Sequence, residues 1–434
     1  MMLRKIDVRH GLVLCALLLA AVSAAFKITG RPSLTLFQMP DIAKQSSQTL
    51  SGMQSQFVSH TQNIHTHAAS LVELSDGRIR AFWFAGSREG ASDVEIRSAV
   101  LDPVNNRWGA EQSLVNRVDT QRSLLRYVKK IGNPVAHRAT DGTLWLFYVT
   151  VSMGGWAGSS ITAITSSDEG ASWSAAKRLI TSPFINISTL VKGAPFNYSD
   201  GSIGLPVYHE FIGKFGELLR ISKSGEVIDK TRLSSGKFGL QPVVLIKNSR
   251  QAIALMRHSG ASPKRVIATT TDDAGYHWSP TTMTTLANPD AAISGVALPD
   301  GRILVVLNNT EHGREVLSLV VSSDGGTSWT NAYQLEDQRG SFMEPDRYGQ
   351  IAGELAMITD ERVTDPANYG KSVRQTKCED QKCGFEFSYP YLIQTHNGDL
   401  HLVYTWNRSF IKHLRFTPAW LDSQLEKSAD AQLH

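Results

Sequence analysis

Arginines, a tyrosine and a few carboxylates stand at the ends of short apolar runs in this chain. Arg88, Arg257 and Arg314 each follow such a run, as does Arg408 after Trp406. A guanidinium can hold a carboxylate through two parallel hydrogen bonds, so arginines converging on one face would select an anionic ligand. Asp93 lies shortly after Arg88, and Glu210 closes the triplet Tyr208-His209-Glu210. Two carboxyl groups flanking a glycosidic bond are the usual requirement for hydrolysing it. Tyr389 adds a phenol, and His67 a ring that can move protons near neutral pH. Trp156 and Trp406 offer flat faces for the apolar side of a sugar. These residue types suit an acidic sugar, provided that one fold gathers them; any one of the arginines alone is as readily an ion-paired loop residue.

The elements that would gather them come from two repeated motifs. One is a turn dipeptide followed by alternating apolar residues, at Asp76-Gly77, Asp141-Gly142, Asp200-Gly201, Asp300-Gly301 and Asn397-Gly398, with a degenerate copy at Asn248-Ser249. Such pairs between apolar runs mark tight hairpins, because the turn needs positive φ. The other is Ser/Thr-x-Asp-x-Gly-x-x-Trp, at Ser166 to Trp173, Thr271 to Trp278 and Ser322 to Trp329, with worn copies near Asp102 to Trp108 and Ser222 to Gly225. Each copy follows a hairpin by the length of two short strands, so each repeat reads as a four-stranded blade. Six of them predict an all-β, six-bladed β-propeller over residues 56–421. The box is structural: its Asp accepts local backbone N–H groups and its Trp packs between blades. It lacks the further carboxylates of a calcium loop, so neither metal nor cofactor is expected.

In a propeller, equivalent positions of every blade face the central channel. About eight or nine residues before the turns, at the start of the innermost strand, stand His67, Asn133, Lys192, Gln241 and Tyr389. The loops after the second strands carry Arg88 with Asp93, Trp156, Tyr208 with His209 and Glu210, Arg257, Arg314, and Trp406 with Arg408. All of these are expected around one axial site.

The boxes, together with Phe84-Ala-Gly-Ser-Arg-Glu-Gly, Gly132-Asn-Pro, Leu205-Pro-Val-Tyr-His-Glu, Tyr389-Pro-Tyr-Leu and Phe416-Thr-Pro-Ala-Trp-Leu, resemble the sialidases and their Asp-box relatives, more narrowly a bacterial neuraminidase-like group. The resemblance runs from about Phe57 to Leu421. It implies hydrolysis of a terminal sialic acid, with three arginines on the carboxylate, a tyrosine nucleophile activated by a glutamate, and an aspartate as acid/base. Tyr389 matches the nucleophile, Arg257 and Arg314 two of the arginines, and Arg88 with Asp93 approximates the first-blade pair. Two positions depart from the pattern: His67 stands where an arginine belongs, and Gln241 where the glutamate belongs. A glutamine cannot take the proton of a phenol, which puts the standard mechanism in question. Three functions are therefore weighed: a hydrolase using Asp93 or Glu210 with Tyr389, a uronate lyase in which His67 and Tyr389 move protons, and a non-catalytic carbohydrate-binding scaffold.

A formal charge of +4 spread over 434 residues gives no reason to expect nucleic acid. Arg4, Lys5 and Arg9 precede an uncharged apolar run from Gly11 to Phe26, which reads as a signal peptide or short anchor in residues 1–26. Export to the periplasm or beyond is expected, with any membrane association through that segment. Residues 27–55 read as a lead-in and 422–434 as a polar tail. Cys378 and Cys383 are expected to close a small loop. The segment between the last box and Tyr389 reads as an outer strand plus a loop, and the partner expected of this monomeric chain is a glycan.

Overall fold

Each Asp-Gly or Asn-Gly pair turns a strand back on itself, and antiparallel sheets of four strands, or of five in blades one and three, follow one another around an axis. The computed structural model describes residues 34–43, 52–182, 186–234, 238–340, 343–379 and 382–433. The expected segment 1–26 lies outside them; among the described residues no helix is long and apolar enough to cross a membrane. The innermost strands of blades one to six are His65–Glu73, Lys130–Arg138, Leu190–Val191, Gly239–Ile246, Ser294–Ala297 and Phe387–Gln394. The sixth blade is closed by the first strand among the described residues, Gln54–Phe57, which pairs with Phe410–Phe416. The propeller is thus six-bladed and all-β, as the repeats require.

The boxes take the turn between the two outer strands. Asp168 accepts from the Ser172 amide at 2.8 Å, and the Trp173 indole donates to Gly170 O at 3.2 Å. Asp273 and Trp278 repeat the arrangement at 2.9 and 3.0 Å.

Four innermost strands share a distortion that decides what reaches the axis. Their pairing slips by one residue after His67, Gly132, Leu240 and Ser388, where one extra residue is inserted in the inner strand. The residue that follows has positive φ in each case: Ala68 at 54°, Asn133 at 46°, Gln241 at 51° and Tyr389 at 54°. A bulge of this kind re-aims a side chain, and Pro134, Pro242 and Pro390 fill the second bulge position in three blades, where no ladder donor is needed. The blade-one equivalent of Asn133, Gln241 and Tyr389 is therefore Ala68; His67 sits one residue earlier.

Three segments differ from expectation. The lead-in is not free, because Phe37 is buried against Phe196 and Tyr198 and its amide donates to Ser249 O at 2.8 Å. The segment after the outer strand Thr330–Asp337 forms two helices, Pro345–Thr359 and Pro366–Lys377, rather than a loop. The second helix is capped by Asp365, and a hairpin closed by a Cys378–Cys383 disulfide follows it. The C-terminal residues form the helix Pro418–Leu433, with Leu421 buried and Trp420 set edge-on to Tyr333.

Candidate functional site

The bulges bring Tyr389 of blade six and Gln241 of blade four together at the channel. The Gln241 amide nitrogen donates to Tyr389 Oη at 3.0 Å and to Tyr208 Oη at 3.2 Å. Its carbonyl accepts from Arg257 Nη1 at 2.9 Å. A guanidinium has no acceptor, so this contact fixes the amide orientation and leaves only N–H groups facing the two phenols. Arg257 is held by Asp290 at 2.8 Å, and Asp290 O also accepts from Arg314 Nη2 at 2.9 Å. Tyr208, Gln241, Arg257, Asp290, Arg314 and Tyr389 thus form one network spanning blades three to six.

His67 packs on the Tyr389 ring at 4.2 Å between centroids. Burial, reinforced by Arg408, holds it well below the ordinary histidine range, and it pushes the neighbouring His65 down to about 4. Both rings are neutral at pH 7, and the Nδ1 atoms of both are buried without a partner. Lys192 is buried beneath the tyrosines and donates to Pro390 O at 2.9 Å; burial lowers it to about 7. Glu210 is half-buried with a raised pKa: burial raises it more than Arg257 and Lys214 lower it.

A residue without any sequence motif organises the other side of the site. Glu386, buried just before the innermost strand of blade six, accepts from Arg408 Nε at 3.0 and 2.9 Å, from Lys377 at 2.8 Å and from Ser388 Oγ at 2.9 Å. Arg314 approaches it at 3.5 Å. Burial raises its pKa, but Lys377 and Arg408 outweigh that and hold it well below the carboxylate range. Arg408 also reaches Glu89 at 2.8 Å. A cavity of about 1110 Å³ opens here, walled by Arg88, Arg314, Lys377, Lys382 and Arg408 with His65 and Glu386. Lys377 and Lys382 come from the helical insertion, which the sequence placed as a loop. The Asp365-Pro366 pair, an N-cap followed by proline at the first helical position, was the local signal for it.

Other expected residues lie elsewhere. Asp93 is exposed and accepts from the Ser87 amide and hydroxyl, both at 2.9 Å. Burial raises its pKa, but the two Ser87 bonds together outweigh it and hold the carboxyl below its ordinary value. His209 points away from the network, bonded to Glu217 at 2.6 Å and stacked on Phe215. Trp406 is core, packed on Phe57. Asn133 is buried at its bulge, and Arg88 is exposed on the cavity wall. Trp156 lies under Lys130, whose ammonium is 3.8 Å from the ring centroid.

Residues 77–402 match the BNR repeat-like domain family. No curated protein matches the chain. Among solved structures, the Hadza microbial sialidase Hz136 superposes with a TM-score of 0.60 at 14% identity, over 82% of this chain and 66% of its own. The NanB sialidase of Streptococcus pneumoniae gives 0.58 at 12% identity, over 91% and 72%. A protein of unknown function from Dyadobacter fermentans gives 0.60 at 12% identity, over 84% and 99%. At such identities the likeness is one of fold. With its family match covering most of the six blades, the chain belongs to the BNR repeat-like family and has the sialidase-like propeller fold.

Proposed function

We propose that the chain is a glycoside hydrolase that removes a terminal acidic sugar from a glycan, with Tyr389 as nucleophile and Glu210 as general acid. The observation that carries this reading is the setting of Tyr389 Oη, held at 3.0 Å by a Gln241 amide that Arg257 itself fixes, in a channel beside a cavity with a cationic wall. Arg314 and Arg408 would take the sugar carboxylate. Glu210, its pKa raised by burial, would protonate the leaving oxygen and then, as carboxylate, activate water against the glycosyl-tyrosine. The Gln241 N–H would hold the Tyr389 oxygen for attack, while the phenolic proton leaves to water. That structurally similar proteins include sialidases and the Ruminococcus gnavus intramolecular trans-sialidase supports sialic acid as the first sugar to try.

One observation favours a second reading, a non-catalytic glycan-binding propeller. Among the described residues the one hydrogen bond of Tyr389 Oη is accepted from Gln241, so no base touches the phenol. The deciding experiment is release of sugar from a panel of α-sialosides and uronate glycans. Turnover that Tyr389→Phe and Glu210→Gln both abolish, and that Asp93→Asn lowers less, is the expected result. Glycan binding without turnover would replace the hydrolase by the binding reading, and an unsaturated product absorbing in the ultraviolet would replace it by a lyase.

A further inference from the structure

We propose that the face on which the candidate site opens docks, over blades two to four, on an anionic lipid surface. Pairing of Lys130 with Val151, Leu190 with Tyr208 and Gly239 with His258 puts the start of each innermost strand beside the end of the second. The connections at that end therefore lie on the face where Tyr389 and Gln241 emerge. Going round blades two to four, successive connections each end in a bare apolar side chain. Leu125, 93% exposed, and Tyr127 precede blade two, and Met153, 78% exposed, tips its next loop. Ile180 precedes blade three, and Phe211 and Ile212, the latter 92% exposed, tip the loop within it; Phe238 precedes blade four.

These tips come with an excess of positive charge. Arg126 bonds to Ser152 at 2.9 Å and Lys129 to Gly154 O at 3.4 Å, tying the first two loops together, and Lys214 and Arg232 flank Phe215. Two carboxylates on the same rim are paired, Asp119 with Arg122 at 2.9 Å and Glu217 with His209 at 2.6 Å. Apolar tips, one or two to a loop on separate loops and near arginines or lysines, suit insertion at a headgroup boundary. A protein partner would call for a contiguous packed patch. The sugar of the proposed reaction would then be carried on a lipid; that step alone rests on the hydrolase reading.

The test uses the full chain with Cys15→Ser and an environment-sensitive dye on Ile212→Cys or, as control, on Val104→Cys. Val104 is equally exposed, in the turn after Asp102 at the opposite end of blade one. Phosphatidylglycerol-containing vesicles should shift the emission at position 212 to the blue and leave that at 104 unchanged, while phosphatidylcholine alone should give a weaker effect. In the unlabelled chain, Leu125→Ser with Met153→Ser should lower vesicle affinity about tenfold per side chain. No shift at 212, or equal shifts at both positions as tethering through the N-terminal segment alone would give, overturns the proposal. Neither readout requires turnover, so failure of the docking and failure of the hydrolase reading are told apart. If turnover exists, the paired serine variant should slow cleavage of the vesicle-borne sugar and spare the soluble one.

Discussion

At the scale of single residues, the candidate site turns on one amide. Gln241 occupies the place where a carboxylate would serve the phenol as base, and its surroundings already suit an anion: Arg257 lies 2.9 Å from its oxygen, and the hydroxyls of Tyr208 and Tyr389 lie at its nitrogen. Gln241→Glu should therefore be accepted without refolding the site and should raise kcat about tenfold or more, since a positioned base contributes roughly 10²–10⁴; an unchanged rate in a folded variant would mean that Tyr389 is not the nucleophile. The opposite effect is expected at Glu386, where Glu386→Gln leaves the half-buried Arg408 and Lys377 with a neutral partner. Removing one member of a buried ion pair costs about 3–5 kcal/mol, to be read as a lower urea midpoint. Tyr389 and Gln241 were legible in the sequence because a repeat register fixes both. Glu386 was not, because its role comes from Lys377 and Arg408, which approach from other elements and leave no spacing signature around it.

At the scale of elements, the hairpins were legible because Asp-Gly and Asn-Gly turns act locally. The one-residue slip in four innermost strands was not, since a bulge is fixed by pairing with the neighbouring strand and no turn dipeptide marks it. That slip moved the axial position of blade one from His67 to Ala68. The helical insertion was misread for a similar reason: its apolar residues face a neighbouring helix and the rims of blades five and six, and carry no repeat. The two helices cross so closely that a Cβ on Gly370 would lie 1.9 Å from Gly349 O. Gly370→Ala must push them apart, and overpacking of this kind costs about 1–3 kcal/mol. Since Lys377 ends the second helix and holds Glu386 at 2.8 Å, the variant should weaken acidic-sugar binding as well as stability. Calorimetric titration with the sugar, beside thermal unfolding, checks both; lost stability with unchanged affinity would detach the insertion from the site.

At the scale of the molecule, the blades meet around several buried histidines whose neutrality makes the fold acid-sensitive in a definite window. At the junction of blades one and six, the Trp108 indole donates to His413 Nδ1 at 3.3 Å, and His413 Nε2 lies 3.0 Å from His401 Nδ1. An indole N–H can only donate, so His413 must carry its proton on Nε2 and pass that bond to His401; a second proton on Nδ1 would oppose the indole. Burial pushes His413 down to about 3, His137 and His65 to about 4, and His401 and His67 well below the ordinary value. With each folded pKa below the unfolded value of about 6.5, the unfolded chain binds more protons between the two. Stability is therefore complete above about pH 6.5 and falls as pH drops towards 4, with each histidine adding up to about 1.4 kcal/mol per pH unit. Glu73 and Glu210, with raised pKa values, oppose the slope near its acid end; Glu386 and Asp360, with depressed ones, act below it, and Lys192, lowered to about 7, acts above it. His413→Phe removes one titrating group from the window and keeps a ring against Trp108. Urea midpoints measured from pH 7 to pH 4 should then fall less steeply, by about one proton's worth of slope, whatever the offset in stability at pH 7. A parallel curve would mean that His413 already titrates normally in the folded chain and that the indole-to-imidazole relay does not hold the blades together.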